Sequence, residues 1–172
     1  MRTITYLFIG LLVMFWTTGA TWFYICEVKG LCEAGDETKS VADILQEQDD
    51  YIVVRYQGKK WHEGEDNIVI AHSNPGPSIP EQTKPSLQAV ADFISEGSNV
   101  ELEIVSAYVS TEENLTDYKN IGIARADSIK RHMEALGVSA NSITVNAYNL
   151  TDDYLDEGGI VFGGIKLLLH DK

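Results

Sequence analysis

Residues 118–137, YKNIGIARADSIKRHMEALG, limit the possible folds more than any other stretch of this chain. Gly122, Ala126, Ile129, Met133 and Leu136 recur at helical spacing, so one face of an α-helix carries all five. Thr116 and Asp117 offer side-chain oxygens for the helix start, and Gly137 stands where a left-handed residue would end it. Arg125 lies beside that stripe in the first half of the helix. An amphipathic helix of this kind must bury its stripe against another layer, and the flanking segments read as strands. Val100, Leu102 and Ile104 alternate with Glu101 and Glu103, and Ile143, Val145 and Ala147 repeat the pattern after the helix.

The other elements fall around these. Pro85 suits the first turn of a helix whose buried stripe is Leu87, Val90, Ala91 and Ile94, ended by Gly97. All four prolines lie in residues 73–85, which makes the stretch before that helix a loop. Residues 51–56 and 67–71 are β-branched or aromatic runs separated by a turn region at 57–66. They predict either a hairpin or an extra strand at the sheet edge. Residues 160–169 supply a last apolar strand, with Gly163 and Gly164 marking a bulge or a close backbone approach. Strand, helix, strand, helix, strand, strand is the order of an α+β sandwich with its helices on one sheet face.

Residues 4–25 are 22 consecutive uncharged residues, long enough at about 1.5 Å per residue to cross a hydrocarbon core. Trp16, Trp22, Phe23 and Tyr24 occupy its C-terminal part, where amphipathic rings favour the headgroup zone. Arg2 precedes the run, and Glu27, Glu33, Asp36 and Glu37 follow it. The positive-inside rule then puts residues 1–3 in the cytoplasm and the body outside, with 4–25 as a single transmembrane helix. A cleaved export signal ending near Ala20 is the alternative, and it exports the same body. Cys26 and Cys32, the only cysteines, stand just beyond the run in an acidic connector, 26–39, and an oxidising compartment predicts a disulfide between them. Residues 40–66 then form a helix and strand preceding the main domain at 67–172.

The net charge of −13 repels phosphate backbones, and no basic aromatic stripe offsets it, so nucleic acid is excluded as a partner. His62 with Glu63, Glu65 and Asp66 reads as a solvated turn rather than a metal site. The acidic run Asp152, Asp153, Asp156 and Glu157 lacks the ligand alternation of a calcium loop. With no phosphate loop, nucleophile elbow or zinc-protease motif, neither catalysis nor a cofactor is expected.

The stretch with Arg125-Ala126 resembles the second helix of the OmpA-like domain family, which includes the C-terminal domains of outer-membrane protein A and of flagellar stator B proteins. The likeness covers residues 67–169 and implies the βαβαββ order derived above. In that family an Asp near a strand end and the Arg of an Arg-Ala pair grip the zwitterionic diaminopimelate of peptidoglycan. Here Arg125-Ala126 matches the pair and Ile121 matches a family Leu, while Tyr118 and Gly122 replace Asn and Ser. Ser110 stands where the Asp is expected, so either Glu112 or Glu113 supplies the missing carboxylate, or Arg125 pairs with Glu112, Glu113 or a carbonyl and simply anchors the loop. Two functions follow. One is a structural or accessory subunit of a membrane complex in the bacterial inner membrane, its periplasmic domain contacting other subunits. The other is a peptidoglycan tether using Arg125 with Ser110, Glu112 and Glu113 in a changed clamp.

Overall fold

The structure, a computed structural model, describes residues 14, 16, 44–45, 49–97, 99–150, 159–161 and 163–172. Two compact units divide at residue 37, Met1–Glu37 and Thr38–Lys172. In the first, only Met14 and Trp16 are described, both helical and exposed. The transmembrane reading of 4–25, the interface residues Trp22, Phe23 and Tyr24, and the Cys26–Cys32 disulfide therefore lie outside the described residues. Among those that are described, no helix is long and apolar enough to cross a membrane.

The second unit is an α+β layer structure. Its strands are β1 (Val53–Tyr56), β2 (Lys59–Glu63), β3 (Ile70–Ala71), β4 (Val100–Val109), β5 (Ile143–Leu150), β6 (Ile160–Val161) and β7 (Ile165–Asp171). Its helices are α1 (Lys84–Glu96) and α2 (Ile121–Ala135). The main sheet has the order β2-β1-β7-β4-β5, and β3 pairs with β6 in a separate two-stranded ribbon. The ten-residue β4 is an interior strand, antiparallel to β7 and parallel to the edge strand β5.

Strand parity divides the sheet into two faces. Leu102 and Ile104 of β4, Ile143 and Val145 of β5, and Leu167 and Leu169 of β7 share the main core. Leu87, Val90, Ala91 and Ile94 of α1 join them, as do Ala126, Ile129 and Met133 of α2. Both helices thus cover one face, as the periodicities require. On the opposite face Val105 and Leu168 pack with Ile44, beside Leu45 and Tyr148. A segment preceding the sheet therefore shields part of its second face.

Three local expectations are corrected. Residues 67–71 do not form a hairpin with β1. The partner of β1 is β2, drawn from the stretch read as a turn, and Gln57 and Gly58 connect them with φ of 51° and 79°. Two left-handed residues in a two-residue loop give the turn whose twist matches a hairpin. Only Ile70 and Ala71 of the 67–71 run are strand. Ile68 N–H donates to the Asn67 side chain and Val69 bridges Ser78, so this apolar run is buried without joining the main sheet. Its expected place is taken by β1, which pairs in parallel with β7. The residue that caps α2 is Asn120, whose side chain accepts from Ile123 N–H, rather than Thr116 or Asp117.

Two glycines permit close approaches. A Cβ on Gly122 would stand 2.8 Å from Ala147 Cβ and 3.0 Å from Ser106 O, so α2 docks on β4 and β5 closer than serine would allow. Gly163 has φ of 64°, and a Cβ there would lie 2.7 Å from Asp49 O. That is the close backbone approach expected of the Gly163-Gly164 pair.

Candidate functional site

Arg125 is 1% exposed, an unusual position for a guanidinium unless every N–H has an acceptor. Placed on α2 one turn after Ile121, it points to where three other segments meet. Its Nε donates to Asn74 O at 2.8 Å. Nη1 donates to Ala107 O and to Glu112 Oε2, both at 3.1 Å. Nη2 donates to Ala71 O at 2.9 Å and also to Glu112 Oε1. A guanidinium has five N–H donors, and all five are used.

Glu112 is matched just as fully. Its side chain is 2% exposed. Besides the two-pronged contact with Arg125, Oε1 accepts from Ser73 N–H at 2.9 Å and Oε2 from Val109 N–H at 2.8 Å. Four donors fill the lone-pair positions of the carboxylate. Burial pushes the Glu112 carboxyl up, but the hydrogen bonds from Arg125, Val109 and Ser73 and the guanidinium charge outweigh it and hold the carboxyl below its ordinary value. The pair is a closed unit joining α2, the end of β4, the β4–α2 loop and the loop after β3.

The other expected residues do not enter this unit. Ser110, in the position of the family Asp, is an exposed turn residue just past β4 and does not bond to Arg125. Glu113 is exposed, and only its backbone joins the cluster, donating to Ser73 Oγ at 3.1 Å. The zwitterion clamp implied by the resemblance therefore has its cationic half filled from within the chain. Ser73 and the carbonyls of Ala71, Asn74 and Ala107 had no side-chain pattern to reveal them. The one trace was Ser73's place at the start of the proline-rich loop, where its φ of 54° is observed.

Beyond the lock, the β4–α2 loop is bonded along its length. Asn114 Oδ1 accepts from Thr116 Oγ1 at 2.6 Å and Thr116 N–H at 3.2 Å, and Asn114 Nδ2 donates to Tyr118 O at 2.8 Å. Tyr118, in the place of the family Asn, donates its hydroxyl to Asp127 at 2.7 Å and accepts from Arg131 at 3.0 Å. Among the described residues no group of three His, Cys, Asp or Glu is placed to hold a metal ion. His62 instead meets Ser86 Oγ at 3.0 Å on α1, and residues 151–158 lie outside the described set.

Comparison with known proteins gives distant likenesses. No family profile matches it. Among curated proteins it is 21% identical over 90 residues to the sodium-type flagellar protein MotY of Vibrio parahaemolyticus, covering 52% of this chain and 31% of that protein. The chain thus spans about a third of that relative's length. Similar solved structures include the C-terminal domain of Helicobacter pylori MotB, at 15% identity and a TM-score of 0.45 over 62% of this chain and 84% of that one. The peptidoglycan-associated lipoprotein of Burkholderia pseudomallei gives 16% and 0.45 over 61% and 90%. The OmpA-like domain of FopA1 from Francisella tularensis gives 14% and 0.39 over 59% and 73%. The chain resembles OmpA-like domains. The role of Arg125 rests on its own geometry, since none of these likenesses is close enough to assign it.

Proposed function

We propose that this chain is a non-catalytic, membrane-anchored protein of the bacterial envelope, an accessory or structural subunit of a membrane complex whose exported OmpA-like domain binds protein. The observation that supports this reading best is the saturation of Arg125. A guanidinium with all five donors engaged and 1% of the residue exposed offers a ligand carboxylate nothing unless Glu112 leaves first. Leaving would break four hydrogen bonds to that carboxylate and leave Arg125 a buried, unpaired charge, at a cost of several kcal/mol. The likeness to a sodium-type flagellar protein makes flagellar proteins the first partners to seek.

The second reading, a peptidoglycan tether, is supported by the Arg125-Ala126 match on α2 and needs the β4–α2 loop to open. Purification of the full chain from membranes in mild detergent, followed by native mass spectrometry, distinguishes the two. A stoichiometric protein complex is the expected result, and a lone monomer that sediments with purified peptidoglycan would favour the tether.

A further inference from the structure

We infer that the β4–α2 loop is a pre-organised docking knob, with Leu115 at its tip, for an apolar socket rimmed by basic residues on a partner protein. The inference rests on the reading of the domain as a protein-interaction module and specifies its contact surface.

The first observation is a mismatch between order and burial. Leu115 is 85% exposed, more than any other large hydrophobic among the described residues. A floppy loop could carry such a residue without consequence, because isolated exposed apolar residues are common. This loop is fastened on both sides of Leu115. Glu112 is locked to Arg125, Ser73 and Val109, and Glu113 N–H is held by Ser73 Oγ. On the far side, Asn114 bonds Thr116 and Tyr118, and Tyr118 is tied to Asp127 and Arg131 on α2.

The second observation concerns what the lock achieves. A buried ion pair stabilises a fold little compared with apolar side chains of the same volume, and its best-attested use is to specify one arrangement. Here the specified arrangement is the path of this loop. Rigid presentation lowers the ordering cost of binding, and a central apolar anchor is where interface energy concentrates.

Charge then identifies the socket. Glu113 and Asp117 are exposed two residues to either side of Leu115, whereas the charge of Glu112 is neutralised by Arg125. Lys119 lies further along, beyond the Tyr118 anchor. An apolar tip between two free carboxylates fits a hydrophobic pocket with Lys or Arg at its edge. The acidic flanks and the net charge of −13 disfavour a second copy of this chain.

The test uses the full chain in its native membranes, with a photo-crosslinking phenylalanine analogue at position 115 and, as control, at Gln88 on the exposed side of α1. The expected result is one protein adduct specific to position 115 that falls about tenfold in Glu113→Lys/Asp117→Lys. The partner retained on co-purification should fall by a similar factor in Leu115→Asp, while the circular dichroism melt of that variant stays at the wild-type temperature. An adduct equally strong at position 88, an adduct of twice the chain mass, a peptidoglycan adduct, or one indifferent to charge reversal would overturn the inference. If a partner co-purifies undiminished with Leu115→Asp, the knob fails and the interaction-module reading stands. If no partner accompanies even the wild type, both fail.

Discussion

Arg125 and Glu112 depend on each other because each satisfies what burial would otherwise make costly. Removing one leaves the other an uncompensated charge, so Arg125→Ala and Glu112→Ala should each lower unfolding free energy by about 3–5 kcal/mol. Arg125→Lys should recover little, since an ammonium has three donors and no fork to span Ala71, Ala107 and Glu112 together. The double replacement Arg125→Ala/Glu112→Ala should cost less than the sum of the singles. Urea denaturation of the wild type, the two alanine singles and the double measures this coupling directly. The ion pair also fixes a pH dependence. The folded-state pKa of Glu112 lies below its ordinary value of 4.5, so its contribution is complete above that pH and is lost as pH falls through the depressed value. Wild-type stability should therefore drop toward that of Glu112→Gln on acidification below about pH 4.5, whereas the gap between them stays constant from pH 5 to 8. A gap that widened in acid would contradict the assignment.

At the scale of elements, legibility followed burial. Strand β4, helix α2 and strand β5 could be read because each buries one face, and a one-sided burial leaves a period in the sequence. Strand β2 left none. Four of its five residues are exposed, so nothing in KKWHE alternates, and only Gln57-Gly58 signalled the hairpin. The reverse holds at 67–71, where Ile68 and Ile70 are buried but the backbone of Ile68 and Val69 bonds to Asn67 and Ser78. An apolar run reports burial and says nothing about which strand, if any, it pairs with. Arg125 is legible from its place beside the apolar stripe of α2, and Glu112 only as one of two nearby acids. The carbonyl acceptors had no signal at all, since any residue type carries them. Gly122→Ser would press on Ala147 and the Ser106 carbonyl and should destabilise by about 1–3 kcal/mol. Gly163→Ala should lose about 2 kcal/mol or more, from the left-handed backbone and the contact with Asp49. Its signature would be faster amide exchange around residues 49–52, with the helices unaffected.

For the whole molecule, a five-stranded sheet with two helices on one face holds the lock at the end of β4, its longest strand. The second face is shielded in part by Ile44, and the buried Lys166 amine meets Asp49 at 2.8 Å. The N-terminal segment of the second unit is thereby fastened to the same sheet against which Arg125 is locked. Such a frame can present a rigid loop without opening, which suits a subunit that docks better than one that grips a small ligand. The guanidinium that would hold a peptidoglycan carboxylate is already occupied by Glu112. Sedimentation of the full chain with purified peptidoglycan, wild type beside Arg125→Lys, is the decisive measurement. The two proteins should partition alike, with any retention independent of Arg125. Saturable wild-type binding that falls about tenfold or more in Arg125→Lys, while the substituted protein remains folded, would contradict it.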